Sequence, residues 1–143
     1  MPHLVILYSG NLDAQTDMPA LCRTLADAML SISDETGAPV YPPGGTRVLA
    51  YPAAHWAVSD GGAAGRAAGG DGDYGFMYLN LRMASGRSDA IKQQVGQAVL
   101  AALKSHVAPL LERLHVGFTL QIDEGHEVFD AKLSSLHPLF NRA

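Results

Sequence analysis

The sequence predicts an α+β fold, with two β-α-β units in tandem forming one four-stranded mixed sheet that carries two helices on one face. Three observations predict it. Apolar stretches of strand length recur at 2–8, 46–58, 74–83 and 116–123. Two stretches, from about Met18 and from about Ser88, carry apolar residues at helical spacing. The resulting order is strand, helix, strand, loop, strand, helix, strand. Each strand-helix-strand unit joins parallel strands by a right-handed crossover.

The first strand, "PHLVILY", is an almost unbroken apolar run, the pattern of a strand buried on both faces. Pro2 is tolerated there because the first residue of a strand need not donate to the ladder. The first helix places Leu21, Cys22, Leu25, Met29 and Ile32 on one side, with Asp17 or Thr16 as its cap and Pro19 in its first turn. "ETGAPVYPPGG" ends it. The second strand, within 46–58, is irregular around Pro52. Residues 59–73, "SDGGAAGRAAGGDGD", lack the Gly-Lys-Ser/Thr ending of a phosphate loop and read as a flexible surface insertion. In the third strand Met77, Leu79, Leu81 and Met83 share one face, and Phe76, Tyr78, Asn80 and Arg82 the other. The second helix aligns Ile91, Val95, Val99, Ala102, Leu103, Leu110, Leu111 and Leu114, and Pro109 inside it predicts a kink or break. "VGFTLQID" alternates as the last strand, and "SSLHPLF" reads as a short terminal helix or turn.

The length of 143 residues fits one domain over 1–143: a first unit at about 2–58, the insertion, a second unit at about 74–124, and a terminal segment 125–143. The 10 basic and 14 acidic residues give a net charge of -4, which argues against nucleic acid or an anionic membrane as partner. Cys22 is the one cysteine, so no intrachain disulfide forms and a reducing compartment is the simpler reading. No signal-like start and no run long enough to span a bilayer is present, which makes the expected location cytoplasmic. A sheet with helices on one face leaves its other face bare, and oligomerisation supplies the cover.

Chemistry is suggested at two places. Removal of Met1 would leave Pro2 as a free secondary amine leading straight into a strand. A chain-terminal amine titrates at about 7.7–8.0, and burial or neighbouring arginines lower that value toward neutrality, where a base and its conjugate acid both work well. With Met1 retained the nitrogen is an amide and no base. The second place is "SGRS", 85–88, which leads into the second helix and sets Arg87 to grip a carboxylate with two hydrogen bonds. If the first and third strands are antiparallel neighbours, Pro2 and Arg87 meet at one end of the sheet.

"MPHLVILYSGNL", "DYGFMYLNLRMASGRSDAIKQQVGQAVLAALKSH" and "LQIDEGHEVFDAKLSSLHPLF" resemble the 5-carboxymethyl-2-hydroxymuconate isomerases of the tautomerase superfamily. The resemblance covers nearly the whole chain outside 59–73. It implies a homotrimer with sheets inside and helices outside, no metal and no organic cofactor. It also implies that an amino-terminal proline moves a proton while arginines hold a small unsaturated 2-hydroxy dicarboxylate. Carried over, Pro2 is the catalytic proline and Arg87 a substrate-binding arginine. The family's Arg-x-Arg before the second strand is only half kept in "GGTRV": Arg47 matches as a second substrate-binding residue, and Gly45 stands where the other arginine is expected. Arg66 in the insertion is a candidate substitute.

The remaining candidates read as structural. His3, His55, His106, His115, His126 and His137 form no HxH or HExxH pair, and "DEGHE" reads as a solvated acidic turn, so no metal site is expected. His3 alternates to the sheet face opposite Pro2 and reads as structural; Cys22 reads as core. Two rival functions stay open: a proline-based hydratase or dehalogenase, and a trimeric binding protein that has lost turnover, which Gly45 keeps alive.

Overall fold

A computed structural model describes residues 2–140. The elements are β1 (His3–Ser9), α1 (Met18–Leu30), β2 (Arg47–Ala53), α2 (Ala63–Ala67), β3 (Gly75–Ala84), α3 (Asp89–Arg113), β4 (Val116–Gly125) and α4 (His137–Phe140). Two 3-10 turns, Gly10–Ala14 and Pro43–Gly45, follow β1 and precede β2. The sheet runs β2-β1-β3-β4, with β1 parallel to β2, β3 parallel to β4, and β1 antiparallel to β3. These are the two β-α-β units in one mixed sheet that the sequence predicts.

Alternation fixes which face is covered. Leu4, Ile6 and Tyr8 of β1 and Met77, Leu79, Leu81 and Met83 of β3 are buried against α1 and α3. Those helices contribute Leu21, Leu25 and Met29, and Val95, Val99, Leu103 and Val107. Asp17 caps α1 by accepting from the Ala20 N–H, and Ser88 caps α3 by accepting from the Ile91 N–H.

The structure departs from the sequence reading in four places. The apolar run of β1 is covered on one face only within the chain, because both long helices lie on the same side: His3 and Leu7 are exposed. The 59–73 stretch is not all loop. Asp60 accepts from the Gly62 and Ala64 N–H groups to start α2, and the Tyr74 hydroxyl accepts from the Gly65 N–H. Pro52 lies inside β2, where an edge strand tolerates a missing donor. Pro109 does not end α3. It forfeits the bond to the Ser105 carbonyl, but its exposed ring lies in the next-to-last turn. Beyond it Arg113 donates to the backbone oxygen of Gln15 at 2.7 Å, tying down the last turn. The unbroken helix keeps its phase, so Val107 is buried and Leu111, expected in the stripe, faces out.

Candidate active site

The end of the sheet where β1 begins and β3 finishes gathers the candidate site residues. One row of the register runs Arg47 on β2, His3 on β1, Arg82 on β3 and Asp123 on β4. Pro2 immediately precedes this row. It has the parity of Leu4 and, like Leu4, is buried, on the helix-covered face.

Met83 ends the buried series of β3 on that same face, and it anchors Tyr41, whose hydroxyl donates to the Met83 Sδ at 3.0 Å. Tyr41 is 1% exposed. Arg87 lies over the Tyr41 ring, with its guanidinium carbon 5.0 Å from the ring centre. Arg87 also donates to the carbonyls of Ala84 at 3.2 Å and Val40 at 3.4 Å. Burial raises the Tyr41 hydroxyl pKa, with Arg87 opposing, so the phenol stays a neutral donor to sulfur. Gly86, at φ +109, makes the turn that sends the chain from β3 into α3 and brings Arg87 back over the strand end.

Arg47 lies elsewhere. It lines a cavity of about 310 Å³ with His3, Arg82, Glu127, Asp130 and Lys132, closed on the outside by the segment after β4. Arg87 and Pro2 do not line it. The structure therefore places Arg87 and Pro2 on the helix side and Arg47 on the cavity side of the same sheet end. Lys132 is ion-paired with Asp130. Burial first, then Arg47, holds the His3 imidazole below its usual pKa, with Asp130 opposing. Such a set of cations favours carboxylates.

A family model described as 5-carboxymethyl-2-hydroxymuconate isomerase matches residues 2–140. The chain belongs to that family. A 5-carboxymethyl-2-hydroxymuconate Delta-isomerase of Escherichia coli is 26% identical over 140 residues, covering 98% of this chain and 99% of its own. A crystal structure of a 5-carboxymethyl-2-hydroxymuconate delta-isomerase is 59% identical, with a TM-score of 0.96 and coverage of 100% of this chain and 95% of the other. A 5-carboxymethyl-2-hydroxymuconate isomerase from Deinococcus radiodurans R1 is 26% identical, with a TM-score of 0.79 and coverage of 99% and 95%. The chain is thus an isomerase of that family, and the binding-protein and hydratase readings give way to it.

In this member of the 5-carboxymethyl-2-hydroxymuconate isomerase family, Gly45, in the place of the missing arginine, lies in a buried turn beside a tightly packed Gly44. Gly44 and Gly45 are buried in the 3-10 turn before β2, and α4 covers that turn. A Cβ at Gly44 would come within 2.8 Å of His137 Nδ1 and 3.1 Å of its Cα. His137 of the helix above thus leaves no room for a side chain at Gly44. Arg66 does not fill in within the same subunit: it donates to the Gly61 carbonyl inside 59–73, beside the start of β3. The site is at the other end of that ten-residue strand, roughly 30 Å away. Among the described residues no three His, Cys, Asp or Glu side chains group to hold a metal ion. No helix described is long and apolar enough to cross a membrane.

Sequence reasoning missed two residues here, His3 and Tyr41. His3 read as structural yet lines the cavity. Arg82, on the outward face of its strand, reads from sequence as interfacial or catalytic alike, and only the register sets it beside His3. Tyr41 sat in a stretch read as a helix terminator, and nothing local signals that it packs under Arg87.

Proposed function

We propose that this isomerase ketonises a small unsaturated 2-hydroxy acid of the 5-carboxymethyl-2-hydroxymuconate kind, a tricarboxylate, with Pro2 as general acid and base. The observation that carries the reading is the antiparallel register of β1 and β3. It sets the residue before His3 beside the end of β3, where Arg87 is held against the Ala84 carbonyl. After Met1 is removed, the Pro2 nitrogen takes the proton of the dienol hydroxyl. The oxygen's electrons form the ketone carbonyl, the conjugated double bond shifts, and the carbon at its far end takes the proton back from Pro2. Atoms and electrons balance without a cofactor. Arg87 and Arg47 bind the substrate carboxylates and oppose the negative charge that builds on the oxygen. Met1 itself lies outside the described residues.

The relatives support this substrate, because the E. coli protein and the two crystal structures carry its name. The reading includes a single cytoplasmic domain working as a homotrimer, with the bare sheet face turned inward and no nucleic-acid or membrane partner.

The test is ketonisation of 5-carboxymethyl-2-hydroxymuconate, followed by ultraviolet absorbance, for wild type and Pro2→Ala. Loss of about a hundredfold or more in kcat is the expected outcome, the usual contribution of a positioned acid–base group. Equal turnover in the two proteins would remove Pro2 from the mechanism. No turnover by wild type would reject the substrate.

A further inference from the structure

The proposed substrate poses a counting problem. A 2-hydroxymuconate has a carboxylate at each end, and the 5-carboxymethyl arm adds another. Arg87 and Arg47 answer two of the three. We infer that Arg82 is the specificity residue that binds the carboxylate of the arm. This rests on the substrate reading above and deepens it.

Four observations carry the inference. Arg82 sits opposite His3 in the register, one residue from Pro2, and Arg47 sits opposite His3 on the other side. Two strand spacings separate the two arginines, roughly 10 Å along the row, a span that two side chains can close on one branched polyanion. Both line the same cavity of about 310 Å³, which Pro2 and Arg87 do not line, so it takes carboxylate-bearing ends of the substrate and not its reacting hydroxyl. Among the described residues neither guanidinium takes part in a hydrogen bond or ion pair, whereas the other cation of the cavity, Lys132, is taken up by Asp130.

The fourth observation is the room made for the Arg82 side chain. Gly125 ends β4 beside it, and a Cβ there would lie 3.0 Å from Arg82 Nη2 and 3.2 Å from Nε. The bare backbone at 125 lets the guanidinium lie flat against the strand end. Glu127 also reaches that point, 2.7 Å from the same would-be Cβ, but no ion pair joins it to Arg82. His3, held neutral between the two arginines, can donate one hydrogen bond without adding charge.

The experiment compares 5-carboxymethyl-2-hydroxymuconate with plain 2-hydroxymuconate, which lacks the arm, in wild type, Arg82→Gln and Arg82→Lys. Arg82→Gln is expected to raise KM for the armed substrate about tenfold or more, with kcat within a few-fold, and to leave plain 2-hydroxymuconate unchanged. Arg82→Lys keeps the charge without the fork and recovers part of the loss. Gly125→Ala, which displaces the guanidinium, shifts KM in the same direction. Equal KM changes for both substrates, or none for either, would overturn the assignment. If wild type turns over neither acid, the substrate reading fails on its own. Calorimetric binding of tricarballylate against glutarate then decides: Arg82→Gln must lose the preference for the tricarboxylate, and equal preference in both proteins refutes Arg82 as its source.

Discussion

Tyr41 does its work through Arg87. Its ring is a fixed platform because the hydroxyl is tied to Met83 and the residue is almost wholly buried. Tyr41→Phe keeps the platform and is expected to leave KM near wild type. Tyr41→Leu removes the aromatic face, and KM for 5-carboxymethyl-2-hydroxymuconate should rise about three- to tenfold, with thermal unfolding as the check on folding. His3 makes a second residue-scale prediction. Burial and then Arg47 depress its pKa from 6.5, while Arg82 and Lys132 add positive charge and Asp130 and Glu127 negative charge around the cavity. The unfolded chain takes up this proton near pH 6.5, before the folded chain does. Stability therefore rises with pH across that window and is lost as pH falls below 6.5. His3→Asn should flatten the acid-side decline of Tm, read by calorimetry from about pH 7 to 5. Pro2, Arg87 and Arg47 stand out in the sequence as candidates because their signals are local: a position behind Met1, a strand-to-helix turn, a motif half kept. His3 did not stand out, and Arg82 read as interfacial or catalytic alike, because a residue on a strand is defined by what lies across from it.

At the scale of elements, period and punctuation were enough. The four strands and two long helices lie where alternation and helical spacing put them, since burial on one face is what those periods record. The misreadings share a cause. Pro109 and the glycines of 59–73 are local breakers overruled by side-chain hydrogen bonds, Arg113 to Gln15 across the fold in one case and Asp60 and Tyr74 to nearby backbone N–H groups in the other. Gly10 shows the opposite, a glycine whose meaning is tertiary. A Cβ there would sit 2.5 Å from the Ala53 carbonyl oxygen at the end of β2, a backbone atom that cannot swing aside. Gly10→Ala is expected to cost about 1–3 kcal/mol in urea unfolding, by prying the 3-10 turn after β1 from its neighbouring strand.

The molecule as a whole has one covered sheet face and one open face. Leu7 is 49% exposed, Leu49 49% and Tyr51 51%, and the register sets Leu7 beside Tyr51 and Tyr78. That apolar surface, on the strands that carry the site row, fits the homotrimer proposed above. Leu7→Lys on the inner strand β1 should dissociate it, giving a light-scattering mass near 15.1 kDa rather than about three times that value. A wild-type chain that is itself monomeric would contradict the trimer. The bare face was foreseeable from the element order. Which apolar residues occupy it was not, because β1 has no polar alternation to mark its outer side.

The central claim is that the Pro2 nitrogen, as an amine, is the reagent. The most direct measurement compares kcat/KM for ketonisation in two preparations of this same chain, one processed to Pro2 and one with Met1 retained by inhibiting methionine aminopeptidase, each verified by intact mass. The account predicts turnover in the processed protein and a loss of about a hundredfold or more when Met1 remains, because the nitrogen is then an amide with no basic lone pair. Equal rates in the two preparations would contradict it.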